Sequence, residues 1–180
     1  MNKITQLIQR VAMARNEFIA CIENITEQQA AFKTSEAEWN IINITEHLFW
    51  AEQGGIYGMW KTLYAIREGN ANRTYESEHK EWSIEKLIAQ TWQEKEQVPA
   101  VAAPRLGGTL VFWRLSLAGL QLLLEEFGKD LHEDELRLQA HPHPISGAMD
   151  FQQRLEFLFF HIQRHQAQVQ LIIDKLNKKA

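Results

Sequence analysis

Four stretches of this chain repeat apolar residues at steps of three and four, and nothing else in the sequence restricts its fold as tightly. Ile4, Leu7, Val11, Ala14, Phe18, Cys21 and Ile25 make the first seam. Ile41, Ile44, Leu48, Ala51, Gly55, Gly58 and Thr62 make the second, with small residues towards its end. The third runs through Leu110, Trp113, Leu117, Leu120, Leu124, Phe127 and Leu131. The fourth is Phe151, Leu155, Leu158, Ile162, His165, Val169, Ile172 and Leu176. An α-helix returns to the same face about every 3.6 residues, so each set lines one narrow face. Narrow seams on four helices are buried when the helices pack nearly parallel or antiparallel, which predicts an all-α four-helix bundle. No segment alternates β-branched residues as a strand would.

Capping residues bound the four helices near 2–25, 39–68, 109–129 and 150–177. Ser35 or Asn40 starts the second, Thr109 caps the third after Gly107-Gly108, and Asp150 caps the fourth. Gly128 falls near the end of the third helix. About forty residues join the second and third helices on these boundaries, with one short helix expected in "SIEKLIAQTWQEKEQ". A link of that length can run the whole length of a helix. It therefore allows helices two and three to be parallel, and the expected topology is up-down-down-up. Residues 1–180 read as a single domain without internal repeats.

Composition excludes several classes of function. The 180 residues carry a net charge of −4 and no Lys/Arg cluster beyond Lys178-Lys179, so a nucleic-acid partner is not expected. "LSLAGLQLLL" is the longest apolar stretch and is too short to cross a bilayer. The N-terminus is amphipathic without a continuous apolar core, so no secretory signal is expected. The single Cys21 excludes an internal disulfide and fits a reducing cytoplasm.

Histidine is the irregular feature. His165 interrupts the fourth apolar seam, and His161 lies four residues before it. Side chains at i and i+4 of a helix project to one side with Cβ atoms roughly 5–6 Å apart, so two imidazoles can share one ion. On the second helix, His47 lies one residue before the core position Leu48, as His161 lies one before Ile162. Both flank their seams at the same edge. His47, His161 and His165 could thus close on a single cation, with Gly54, Gly55 and Gly58 leaving space beside it. Core histidines satisfied by their neighbours, and glycines serving close packing or a kink, are the competing explanation. Three neutral nitrogens leave coordination positions open, as in catalytic rather than structural zinc sites. A di-iron carboxylate site needs Glu-x-x-His on two core helices. The one instance, Glu76 to His79, lies in the polar crossover.

The remaining histidines suggest less. His79 and His132 read as solvated loop residues, and His141 and His143, alternating with Pro142 and Pro144, as parts of a rigid turn. Cys21 reads as a small buried apolar residue. Trp50, Tyr57 and Tyr64 face away from the second seam, and Phe157, Phe159 and Phe160 away from the fourth. Such stripes must be covered by the crossover, which brings Trp82 and Trp92, or by a second subunit. A homodimer formed through them is the expectation.

"EWNIINITEHLFWAEQ" and "HPHPISGAMDFQQRLEFLFFHIQRHQAQV" together resemble the DinB-like superfamily. The most specific part is His-Pro-x-x-Gly followed by His-x-x-x-His-x-x-Gln, here His143 to Gly147, then His161, His165 and Gln168. The resemblance covers most of the chain and is weakest from about residue 70 to 108. It implies an up-down-down-up four-helix bundle, often dimeric. It also implies a divalent metal, commonly nickel or zinc, on His47, His161 and His165. Relatives of this kind include transferases that add a low-molecular-weight thiol such as bacillithiol to electrophiles, mycothiol-dependent isomerases and metal-dependent hydrolases.

The leading expectation is therefore a metal-dependent enzyme that transfers a small thiol to an electrophilic small molecule. Hydrolysis by metal-bound hydroxide, and a non-catalytic metal- or ligand-binding stress-response dimer, are the alternatives. Glu46, Glu52, Gln53, Glu156 and Gln168 lie near enough in sequence to act as a base, and none is singled out.

Overall fold

The computed structural model describes residues 1–70, 79–93 and 97–178. Four long helices dominate: α1 (Lys3–Ile22), α3 (Ile41–Arg67), α5 (Leu110–Asp130) and α6 (Phe151–Asn177). Short helices α2 (Glu27–Ala30) and α4 (Ile84–Thr91) lie in the connections. The described residues contain no strand, only isolated bridges such as His143 to Gly147. No described helix is long and apolar enough to cross a membrane.

Local chemistry sets the helix ends. Asn40 accepts from the Asn43 amide and Asn43 returns the bond, a capping box at the start of α3. Asp150 and Gln153 do the same for α6, and Thr109 accepts from the Phe112 amide at the start of α5. Each cap satisfies backbone donors that the first turn cannot. The expected cap at Asn40 is therefore found, and Ser35 plays no such part. The α2 turn, capped by Thr26 and Gln29, was not expected from its short apolar content.

Contacts between the helices fix their directions. Arg10 lies over Phe159 and Cys21 meets Gln170, so α1 and α6 run the same way. Trp113 packs on Phe49 and Trp50, and Phe127 packs on Trp60, so α3 and α5 run together. His47 meets His161 while Gly55 meets Arg154, which makes α3 and α6 antiparallel. Lys3 reaches Glu133 beyond the end of α5, and Glu27 accepts from the Leu110 amide at its start, so α1 and α5 are antiparallel too.

The core follows the four seams, with Cys21, Ile25, Ala51, Gly58 and Leu176 only half-buried, and on α3 the buried face is rotated slightly towards Glu52. Val11, Phe18, Leu117, Leu124, Phe151, Leu155 and Ile162 are fully buried. On α1 the wall is completed by Ile22, while Cys21 is only half-buried against Gln170, so the reading of Cys21 as a core residue is corrected. On α3 the buried face runs through Leu48, Glu52, Ile56, Met59 and Leu63. Ala51 and Gly58 sit beside it at half-buried positions. The rotation brings Glu52 inside, where it pairs with the equally buried Arg15 at 2.6 Å. Burial pushes the Glu52 carboxyl up against the opposing pull of Arg15. Gly128 lies near the end of α5, as expected, two residues before Asp130. A Cβ at Gly128 would collide with the Ile8 side chain, so the missing methyl group lets α1 and α5 approach closely.

The crossover covers part of the outer face of α6. Ile84 and Leu87 of α4 bury against Met149 and Phe157, with Trp82, Trp92 and Phe160 at the edges. Trp50 lies between Trp113 and the Arg105 guanidinium. The outward aromatics thus divide. Those of α6 and Trp50 are covered by the chain itself, whereas Tyr57 and Tyr64 stay 66% and 51% exposed. Further exposed apolar residues lie on α5, among them Phe112, Leu115 and Leu122.

Candidate metal centre

The site begins with helix pitch. His161 and His165 stand one turn apart on α6, and the antiparallel α3 brings His47 opposite them. The Nε2 atoms of His47 and His165 lie 3.2 and 3.1 Å from His161 Nε2. Ligand atoms of all three residues fall within 4.8 Å of one another.

The outer nitrogens decide what the inner ones can be. His47 Nδ1 is 2.8 Å from the carbonyl oxygen of Ala102, and His165 Nδ1 is 2.8 Å from the Oε1 of Gln168. An oxygen acceptor requires a donor, so both rings carry their proton on Nδ1. Both Nε2 atoms are then bare lone pairs facing His161 Nε2. A single N–H on His161 can serve only one of them. Ionising a ring is opposed: burial lowers His47 and His161, the latter well below 6.5 with help from its neighbours, and brings His165 to about 3. Three neutral imidazoles with converging lone pairs fit a cation. Two nitrogens at 2.0–2.1 Å on a tetrahedral ion stand roughly 3.3 Å apart, close to the spacings found.

The second half of the crossover shapes this geometry. Glu46, next to His47, accepts from the backbone amides of Arg105, Leu106 and Gly107 and from the Trp50 indole. Burial opposes the Glu46 charge, but these bonds together hold its carboxyl below the ordinary value. The anchored loop places the Ala102 carbonyl on His47. Glu46 is therefore committed to positioning, and Glu52 lies in the core with Arg15. Glu156 accepts from Gln152, Gln53 is half-buried on α3, and Gln168 orients His165.

The three histidines open on a cavity of about 960 Å³ between α3, α6, the crossover and the turn before α6. That volume suits a small molecule. Gly54 and Gly55 line it, as expected of residues leaving space, but Gly55 and Gly58 also serve closer neighbours. Gly55 faces the Arg154 guanidinium, and a Cβ at Gly58 would run into the His141 ring. His143 has the structural role expected of it. Its Nδ1 accepts from the Ile145 and Ser146 amides, while its backbone exchanges bonds with Gly147, whose φ is +70°. Burial brings its imidazole to about 3, so it stays neutral.

The solvated reading of His79 is corrected: it is half-buried, its ring tilted against that of Trp82 with centroids 4.5 Å apart, and its carbonyl accepts from Gln153. His132 is exposed, as expected. Glu76 of the di-iron pattern lies outside the described residues. Sequence reasoning missed Arg154. It lies on the buried face of α6 between Phe151 and Leu158, seven residues before His161, and a charge at such a position was the available signal.

No curated protein matches this chain. The model of the DinB superfamily matches residues 10–169, which include all three converging histidines and the turn before α6, and the chain belongs to that superfamily.

Proposed function

We propose that the protein is a metal-dependent transferase that joins a low-molecular-weight thiol to an electrophilic small molecule. His47, His161 and His165 would hold a divalent ion, nickel or zinc. The observation that carries the reading is the forced tautomers: two lone pairs aimed at a third imidazole, with their outer nitrogens already committed. When bound, such an ion favours the ionised form of a ligated thiol near neutral pH. The chain's own residues do the rest. Ala102 and Gln168 hold the rings in register, and burial keeps them neutral. The cavity would bind and orient the electrophile beside the ion.

Thiol transfer is favoured over hydrolysis by the state of the nearby carboxylates. Water is far harder to ionise than a thiol and gains more from a general base. Glu46 and Glu52 are both spoken for, by loop amides and by Arg15. The test is metal analysis of protein purified without a nickel column, followed by assays across small thiols and electrophiles. Stoichiometric metal with thiol-dependent turnover is the expected result. Turnover of esters or amides without thiol would transfer the assignment to hydrolysis. Stoichiometric metal with no turnover would leave a binding protein.

We also propose a homodimer. Its surface would lie over the exposed apolar face of α5, where Val111, Phe112, Leu115, Leu122 and Leu123 stand 44–69% exposed. Contiguous apolar surface of this kind is commonly covered by a partner.

A further inference from the structure

Arg154 is 5% exposed, yet no carboxylate pairs with it among the described residues. One bond is formed, from Nη2 to His141 Nε2 at 3.0 Å. Its guanidinium also lies over the Phe157 ring, 5.9 Å from the centroid, but among the described residues its Nε and Nη1 have no hydrogen-bond partner, nor has His141 Nδ1. Since His141 Nε2 accepts from the guanidinium, its proton sits on the unpartnered Nδ1. Every unsatisfied atom of this pair is therefore a donor. Burial brings Arg154 to about 10, which leaves it charged at neutral pH, and brings His141 to about 4, which leaves it neutral.

An isolated buried charge costs several kcal/mol unless something pairs with it. The fold nevertheless makes room for this one. Gly55 on α3 lets the guanidinium lie 3.4 Å from where a Cβ would stand, and Gly58 admits the His141 ring. Both Arg154 and His141 line the same cavity as the three histidines. Arg154 precedes His161 by two turns of α6, about 10 Å along the axis. A molecule reaching from one to the other fits a cavity of about 960 Å³.

We propose that Arg154 and His141 form an anion subsite, which binds a carboxylate or phosphate group of the substrate in the same cavity as the histidine cluster. The substrate class of the proposed transferase is thereby narrowed to small molecules that carry an anionic group as well as the reacting centre. This narrowing rests on the transferase reading, but the subsite itself does not depend on a metal.

The test is thermal melting of the full chain in increasing sodium acetate or inorganic phosphate at fixed ionic strength. Wild type, Arg154→Met and His165→Gln are compared. Wild type and His165→Gln should both be stabilised by at least one of the two anions. Arg154→Met should need roughly tenfold more anion or higher for the same shift, the loss expected of a charge-assisted hydrogen bond. Without anion, Arg154→Met should melt at or above wild type, because an uncompensated buried charge has gone. A response to acetate alone assigns a carboxylate and one to phosphate alone a phosphate ester; either supports the subsite. No response in wild type overturns it. So does an equal response in Arg154→Met, or one that vanishes in His165→Gln, which would place the anion at the histidines. If Arg154→Met does not fold, Arg154→Lys keeps the charge but loses the guanidinium, and an unchanged midpoint there also overturns it. Loss of metal in His165→Gln with the anion response intact would separate the two readings.

Discussion

A histidine has two ring nitrogens, and at this site each one's use is set by what surrounds the other. Gln168 Oε1 accepts the hydrogen bond of His165 Nδ1–H and so leaves the Nε2 lone pair turned inward. Partners of this kind typically change metal affinity 10- to 100-fold when removed. Gln168→Ala should therefore weaken metal binding by about that factor without unfolding the chain, as a competition titration with a chelator would measure. Gln168→Glu should restore most of it. A second residue-scale expectation concerns His143 and His141, which the fold holds to about 3 and about 4. The unfolded chain releases those protons near pH 6.5, so below that pH it binds more protons than the folded one. Stability is then complete above about pH 6.5 and is lost as the pH falls towards 3. Urea midpoints measured from pH 7 to pH 4 should fall steeply. His143→Asn, whose amide oxygen can still accept the Ile145 and Ser146 amides, should flatten the profile.

At the scale of the element, three glycines within five residues of α3 look alike in sequence and differ in place. Gly54 has nothing within 4 Å of where a Cβ would stand, whereas Gly58 is pressed by the rigid His141 ring. Gly54→Ala should stabilise the protein by up to about 1 kcal/mol through helix propensity. Gly58→Ala should destabilise it by about 1–3 kcal/mol, as overpacking does, and should disturb His141. Urea denaturation of the two variants side by side checks both signs. The His-Pro-x-x-Gly turn and the second half of the crossover act at this scale too. They contribute no imidazole to the three-histidine cluster, yet they line the cavity and supply the carbonyl that orients His47.

For the whole molecule, surface and mass are linked. Phe157 and Phe160 lie under α4, which removes part of the aromatic stripe expected to hold two copies together. In the proposed dimer the face of α5 around Leu115 and Leu122, 63% and 69% exposed, would take its place. Light scattering should give twice the 21.0 kDa chain mass, and Leu115→Glu with Leu122→Glu should halve it. A monomeric wild type at working concentration would defeat the dimer without touching the metal centre. Metal at about a hundred times its dissociation constant should add roughly 2.7 kcal/mol of stability. Removing it with chelator should then lower the melting temperature by several degrees.

The sequence by itself determined the long helices, their caps and the pairing of His161 with His165, because each depends on residues within a turn of one another. A helix bonds i to i−4, and the same pitch aligns the two imidazoles. That His47 faces them was also legible, since its place beside a seam matches that of His161. Other features belong to the tertiary structure alone. The rotation of α3 that buries Glu52 beside Arg15 rather than Ala51 came from packing between α1, α3 and α5. The Ala102 carbonyl reaches His47 from fifty-five residues away, along a crossover path that no local preference dictates. That Arg154 has no carboxylate partner among the described residues could be seen only in the packed structure, because a missing partner is a property of the interior as a whole and of no single segment.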